Sequence, residues 1–296
     1  MSTGKRSGRK KRINLPVLLL IVLAAAVLAV LTVSSGVLGR ILGPAPSKPE
    51  NVQIFDGTGY IWITPDSRLN KSALSVGDFT QDANGEQTYI GEAFEVRKGV
   101  DVSEYQGEID WAAVRESGVS FAILRAGGRY YGGEGELFTD ESFKRNLEGA
   151  REAGLDVGVY FFSQALNAEE ARVEAELVIE QLGGTLPELP VFFDWETIGT
   201  ESARTDSVDG DTATDCAIAF CERIESAGLK SGIYLYDHTA YHVFELGRFA
   251  GRTLWYAAQD RYPTFYYEHG LWQYHFSGTV PGIDAPCDLN MMFVKK

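Results

Sequence analysis

From Lys98 to the C-terminus, short apolar runs alternate with longer segments of helical spacing, and this rhythm constrains the fold more than any other feature of the chain. Strand candidates fall at 100–102, 121–126, 157–162, 190–195 and 232–235, then at 254–257, 271–276 and 289–294. Between them, residues 109–117, 140–153, 168–182 and 212–227 have helical spacing, with a weaker helix at 240–246. Gly118, Gly154, Gly183 and Gly228 follow the four stronger helices as stop signals, and Asp140 stands as the cap of the second. Strand–helix alternation predicts a parallel sheet with helices outside. About eight strands in roughly 200 residues fit a closed barrel better than an open sheet. The last strands have short connections, so the barrel is expected to be irregular. Loops following the strands of such a barrel gather at one mouth, where reactive groups are expected.

The fourth strand candidate ends in Phe192-Phe193-Asp194-Trp195-Glu196. Residues two apart on a strand share a face, so Asp194 and Glu196 point the same way at the tip of an element built for burial. Carboxyls crowded in a partly dry place raise each other's pKa, and one can then hold a proton near neutral pH. Cleavage of a glycosidic bond needs such an acid. Asp101, after the first strand, is delivered to the same mouth.

The N-terminus has a different character. Residues 1–12 carry six basic side chains (Lys5, Arg6, Arg9, Lys10, Lys11 and Arg12) and no acid. Residues 15–33 are almost wholly apolar, and roughly 20 such residues span a bilayer. The expectation is a basic cytoplasmic tail over 1–12, a transmembrane signal-anchor over 13–35 and a linker over 36–50, with the remainder outside the cell membrane. A cleaved signal peptide, and hence a secreted protein, is the competing reading; its apolar region is usually shorter. Residues 51–97 contain β-like pieces at 52–55, 60–63 and 87–90 separated by turn formers, a small β-rich extension before the main domain at 98–296.

Without residues 1–12, 21 Lys+Arg face 41 Asp+Glu, a balance of about −20. So acidic a domain is a poor nucleic-acid binder. Cys216, Cys221 and Cys287 are too few for a disulfide scaffold and match no zinc spacing; they read as small buried residues, a pairing of Cys287 being left open. His238 and His242 lack the acid-bearing context of a zinc helix. The Gly-rich run 127–135 lacks the lysine of a phosphate loop. No metal and no cofactor are expected, and the chain is expected to act as a monomer.

Lys98-Gly99-Val100-Asp101-Val102-Ser103-Glu104-Tyr105-Gln106-Gly107, followed by Ile109-Asp110-Trp111, resembles the opening motif of glycoside hydrolase family 25, the Chalaropsis-type lysozymes or N-acetylmuramidases. Phe121 to Gly127, Gly158 to Ser163, Val191 to Glu196, Trp272-Gln273-Tyr274 and Asp288-Leu289-Asn290 resemble later strands of that family, in order. The resemblance implies an irregular barrel of eight strands and five helices. It also implies cleavage of the β-1,4 bond between N-acetylmuramic acid and N-acetylglucosamine in peptidoglycan. It carries over Asp101, Asp194 and Glu196, with Glu196 as general acid. A substrate-assisted route through the 2-acetamido group, attack by a carboxylate and attack by an activated water all stay open. Asp288, Tyr160 and Trp272 are candidate sugar contacts. A wall-binding module without turnover and a hydrolase of another N-acetylated glycan are the alternative functions. The chain departs from the family where the second strand ordinarily continues Gly-Tyr: it has Gly127-Gly128, with Tyr130 and Tyr131 just after.

Overall fold

The computed structural model describes residues 50–296 apart from 84, 201–202 and 260–261. The expected basic tail, membrane span and linker lie, but for Glu50, outside the described residues. Among those described, no helix is long and apolar enough to cross a membrane. Residues Asn51–Lys296 form one compact unit.

Eight strands close a barrel: β5 (Phe94–Val102), β6 (Val119–Arg129), β8 (Asp156–Ser163), β9 (Val191–Trp195), β10 (Ser231–Tyr236), β11 (Thr253–Ala257), β12 (Leu271–Gly278) and β13 (Cys287–Lys295). Neighbours from β5 through β12 pair in parallel, and β13 runs antiparallel between β12 and β5, closing the ring. The reversal follows from length. Only a short loop joins β12 to β13, and a parallel return needs a crossover of a dozen residues or more. β7 (Leu137–Thr139) is added outside the ring as a hairpin partner of β6.

Among the described residues the helices are α1 (Trp111–Glu116), α2 (Phe143–Glu152), α3 (Ala168–Leu182) and α4 (Gly210–Ser226), with a π-helical segment at Thr239–Val243 in place of the weak helix. Side-chain oxygens satisfy the free amides at three starts. Asp110 Oδ1 accepts from Ala113 N, Asn167 Oδ1 from Glu169 N and Glu170 N, and Asp209 Oδ1 from Thr212 N. The fourth differs from expectation. Helix α2 begins after Ser142, not at Asp140, because Asp140 is buried in an ion pair instead.

Burial divides into two layers by strand alternation. Phe121, Ile123, Phe192, Trp255, Leu271 and Met292 fill the barrel interior. The opposite faces, with Val100, Ala122, Val159, Phe161 and Phe193, join the larger core beneath the helices. Interior filling requires Gly99: a Cβ there would run into the ring of Phe121. Cys216, Cys221 and Cys287 are free and buried, and burial pushes each thiol up to about 12.

The stretch ahead of the barrel replaces missing helices. It contains hairpins β1–β2 (Val52–Phe55, Tyr60–Ile63) and β3–β4 (Phe79–Gln81, Gln87–Tyr89). No helix lies between β12 and β13, so the outer face of those strands needs another cover. Phe79 supplies it, with its ring 5.2 Å from that of Trp272 and 6.1 Å from that of Phe293, both edge-on. Tyr267 Oη accepts from the amide of Asp66 at 2.9 Å, and His242 Nε2 lies 2.8 Å from Asp56 Oδ2; both contacts tie the stretch to the barrel.

Candidate active site

The interior face of each strand carries apolar residues at the base and polar ones at the mouth. Asp101 ends the inward row of β5 that Gly99 begins. Arg125 follows Phe121 and Ile123 on β6, and Asp194 follows Phe192 on β9. Gln273 follows Leu271 on β12. On the antiparallel β13 the order is reversed, so Asp288 and Asn290 precede Met292. Asp101, Arg125, Asp194, Gln273 and Asp288, together with Tyr160, Tyr234, Trp255 and Glu196, line a cleft of about 260 Å³, while Asn290 is fully buried.

Its floor is a hydrogen-bond network. Asn290 Nδ2 donates to Asp101 Oδ2 at 2.7 Å and Gln273 Nε2 to the same oxygen at 2.9 Å. Gln273 Nε2 also reaches Asp288 Oδ2 at 3.2 Å, while Tyr234 Oη donates to Gln273 Oε1 at 2.8 Å. Trp255 Nε1 donates to Asn290 Oδ1 at 2.8 Å, which fixes the amide with its nitrogen toward Asp101. Burial pushes Asp101 up to about 6 against the lowering effect of Asn290 and Gln273. Asp288 faces Asp101 across the β5–β13 ladder, and burial with that neighbouring charge pushes it to about 8.

Asp194 and Glu196 form the second acidic pair. Asp194 is 6% exposed, whereas Glu196, one residue beyond the strand, is only half-buried and faces the cleft. Both are raised, chiefly by burial, and Asp194 the further because Glu196 adds a like charge and a hydrogen bond. The direction of their coupling corrects the sequence expectation: the bond from Asp194 lowers Glu196, and burial alone raises it. Asp194 Oδ1 has no hydrogen-bond partner, although it is buried.

Of the expected sugar contacts, Asp288 and Tyr160 line the cleft and Trp272 does not. Trp272 is 0% exposed, and its indole nitrogen donates to Ala258 O at 3.2 Å. Alternation explains the correction, since one residue's shift along β12 exchanges the two faces, and Gln273 takes the inward one. Gln273, Asn290, Tyr234 and Arg125 were not singled out from the sequence. Gln273 between Trp272 and Tyr274, Arg125 after Leu124 and Asn290 before Met291 each give a local signal, a polar residue in a run that is otherwise apolar.

Paired carboxyls at the C-terminal mouth of a mixed α/β barrel suit a glycoside hydrolase. Residues 100–283 match the model of glycosyl hydrolases family 25, and the chain belongs to that family. It is 29% identical over 201 residues to the protein YegX of Escherichia coli K12, covering 65% of this chain and 68% of that one. It is 28% identical over 199 residues to the autolytic lysozyme of Clostridium acetobutylicum, covering 65% of this chain and 55% of that one. The barrel is also similar to that of a family 25 glycosyl hydrolase from Bacillus anthracis, with a TM-score of 0.58, 24% identity and coverage of 69% and 91%.

Proposed function

We propose that this chain is a peptidoglycan hydrolase that cleaves the β-1,4 bond between N-acetylmuramic acid and N-acetylglucosamine, with Glu196 as general acid. The observation that carries the reading is the side-by-side placement of Asp194 and Glu196 on the wall of one cleft, hydrogen-bonded to each other and both raised by burial. Family membership and the lysozyme among its relatives support the substrate class.

The unpartnered Asp194 Oδ1 suits an N–H donor, such as the substrate's 2-acetamido group. An amide donating there favours the ionised form of Asp194. Glu196 then holds the pair's proton, beside the glycosidic oxygen that must be protonated to leave. With Asp194 ionised, its carboxylate orients the acetamido group for attack on the anomeric carbon. Asp101, held by Asn290 and Gln273, supplies negative potential toward the cationic sugar as the bond breaks.

Digestion of purified peptidoglycan with the full chain tests the bond assignment. New N-acetylmuramic acid reducing ends are expected. New N-acetylglucosamine ends would move the bond, and tight binding to sacculi without new ends would point to a wall-binding module.

The apolar stretch 15–33 supports a further part of the proposal, a single-pass anchor that holds a monomeric enzyme at the outer face of the cell membrane. Recovery in salt-washed membranes is the expected result; recovery in the culture medium would contradict it.

A further inference from the structure

The acidic cleft does not end at its own rim. Tyr105, Arg125 and Phe162 line it on one side and also line a second hollow of about 650 Å³, completed by Tyr130, Tyr131 and Phe138. That volume is ordinary for a ligand site. We propose that this hollow is a saccharide subsite, an aromatic shelf that takes sugar rings of the same glycan strand beyond those at the acids. The inference rests on the hydrolase reading above for the identity of the glycan.

The shelf belongs to the β6–β7 hairpin, where the chain departs from its family. Gly127 and Gly128 allow it. A Cβ on Gly127 would meet the carbonyl oxygen of Phe138, and one on Gly128 would meet the Phe138 ring, so only glycines let β7 fold back this closely. Tyr130 then rests on Phe138, with ring centroids 4.8 Å apart.

The hairpin is braced from beneath. Arg129 Nε donates to the buried Glu174 at 2.6 Å and Arg129 Nη1 to Gly135 O at 2.8 Å. Arg204 binds Glu170 at 3.0 Å while its backbone amide donates to Tyr131 O at 3.0 Å. A platform fixed at both ends loses little entropy when a ligand settles on it.

Two observations select a sugar as occupant. Tyr105, Tyr130 and Tyr131 are 75%, 53% and 47% exposed, so their rings are accessible rather than sealed in a core. The cations of the hollow are already paired: Arg125 with Asp140 and Glu104, Arg129 with Glu174 and Glu170. A site built for an anionic peptide stem would leave such charge free. This one presents flat apolar rings with polar edges, which suits the stacking of pyranose rings.

The test uses peptidoglycan glycan oligomers of four and eight sugars. Binding is measured by calorimetry in the Glu196→Gln background, and cleavage in the otherwise native chain. Tyr130→Ala with Tyr131→Ala is expected to weaken binding of the eight-sugar oligomer by about tenfold or more, with a clearly smaller loss for the four-sugar oligomer. Tyr130→Phe with Tyr131→Phe, which keeps the stacking faces, should restore the longer oligomer's affinity. Equal losses at both lengths, or no loss at either, would overturn the subsite. Shelf-dependent binding without cleavage by the native chain would retain the subsite and remove the hydrolase reading. Cleavage with no dependence on the tyrosines would do the reverse.

Discussion

Asn290 and Asp101 stand on neighbouring antiparallel strands, and the amide nitrogen of one donates to the carboxylate of the other at 2.7 Å. The last strand of the barrel thus sets the ionisation of the acid delivered by its first. Replacing Asn290 by Ala removes that donor and strands the Trp255 indole N–H in the core. A loss of about 1–3 kcal/mol in stability is expected from the indole N–H left unpaired, since Asp101 keeps the bond from Gln273. The Asp101 carboxyl should titrate higher than its present value of about 6, because Asn290 lowers it. Chemical denaturation and carbon NMR of the carboxyl check both; an unmoved Asp101 would break the link.

Phe79 should behave as a core residue although it precedes the barrel. It is 4% exposed and packs on Trp272 and Phe293. Phe79→Ala is expected to cost about 3–5 kcal/mol in urea denaturation. A cost below about 1 kcal/mol would mean that the stretch is an appendage rather than part of the barrel's outer layer.

Trp272 and Gln273 separate packing from chemistry on adjacent residues. Trp272→Phe loses a buried hydrogen bond and some volume, so stability should fall by roughly 1–3 kcal/mol with KM kept. Gln273→Ala removes the shared donor of Asp101 and Asp288, and should lower kcat. Steady-state kinetics beside denaturation would distinguish the two; a raised KM in Trp272→Phe would return Trp272 to the sugar site.

Stability should decline as pH rises through the neutral range. Asp101, Glu174 and Asp288 have folded values raised to about 6, 7 and 8, against unfolded values near 4. Between those limits the folded state binds more protons than the unfolded state, so each rise in pH favours unfolding. Asp288→Asn removes the group that titrates highest of the three. Its melting temperature should fall less steeply than that of the native chain between pH 5 and 9, and parallel slopes would contradict the assignment.

Much of this architecture was legible from the chain alone, for physical reasons. Long buried strands and capped helices leave strong periodic signals, which is why the 168–182 helix and the Asp194–Glu196 face were readable. The three-residue strands β3 and β7 are too short to alternate and were not visible, whereas β4, equally short, was read from its Thr88-Tyr89-Ile90 run. Asp140 had the right place for a cap but a stronger partner in Arg125, 15 residues away in sequence. Trp272 looked like a sugar platform because its face depends on register, and register is fixed by pairing with β11 and β13. The cover that Phe79 gives to Trp272, and the lowering of Glu196 by Asp194, are tertiary effects with no local signature.

The most direct test of the central claim is the rate of release of N-acetylmuramic acid reducing ends by the Glu196→Gln chain, with native-like circular dichroism as the check on folding. Glutamine keeps the size of the side chain and removes the transferable proton. A fall in kcat on the order of 10²- to 10⁴-fold is expected, with binding to sacculi retained. Release at the native rate would contradict it and take Glu196 out of the chemistry.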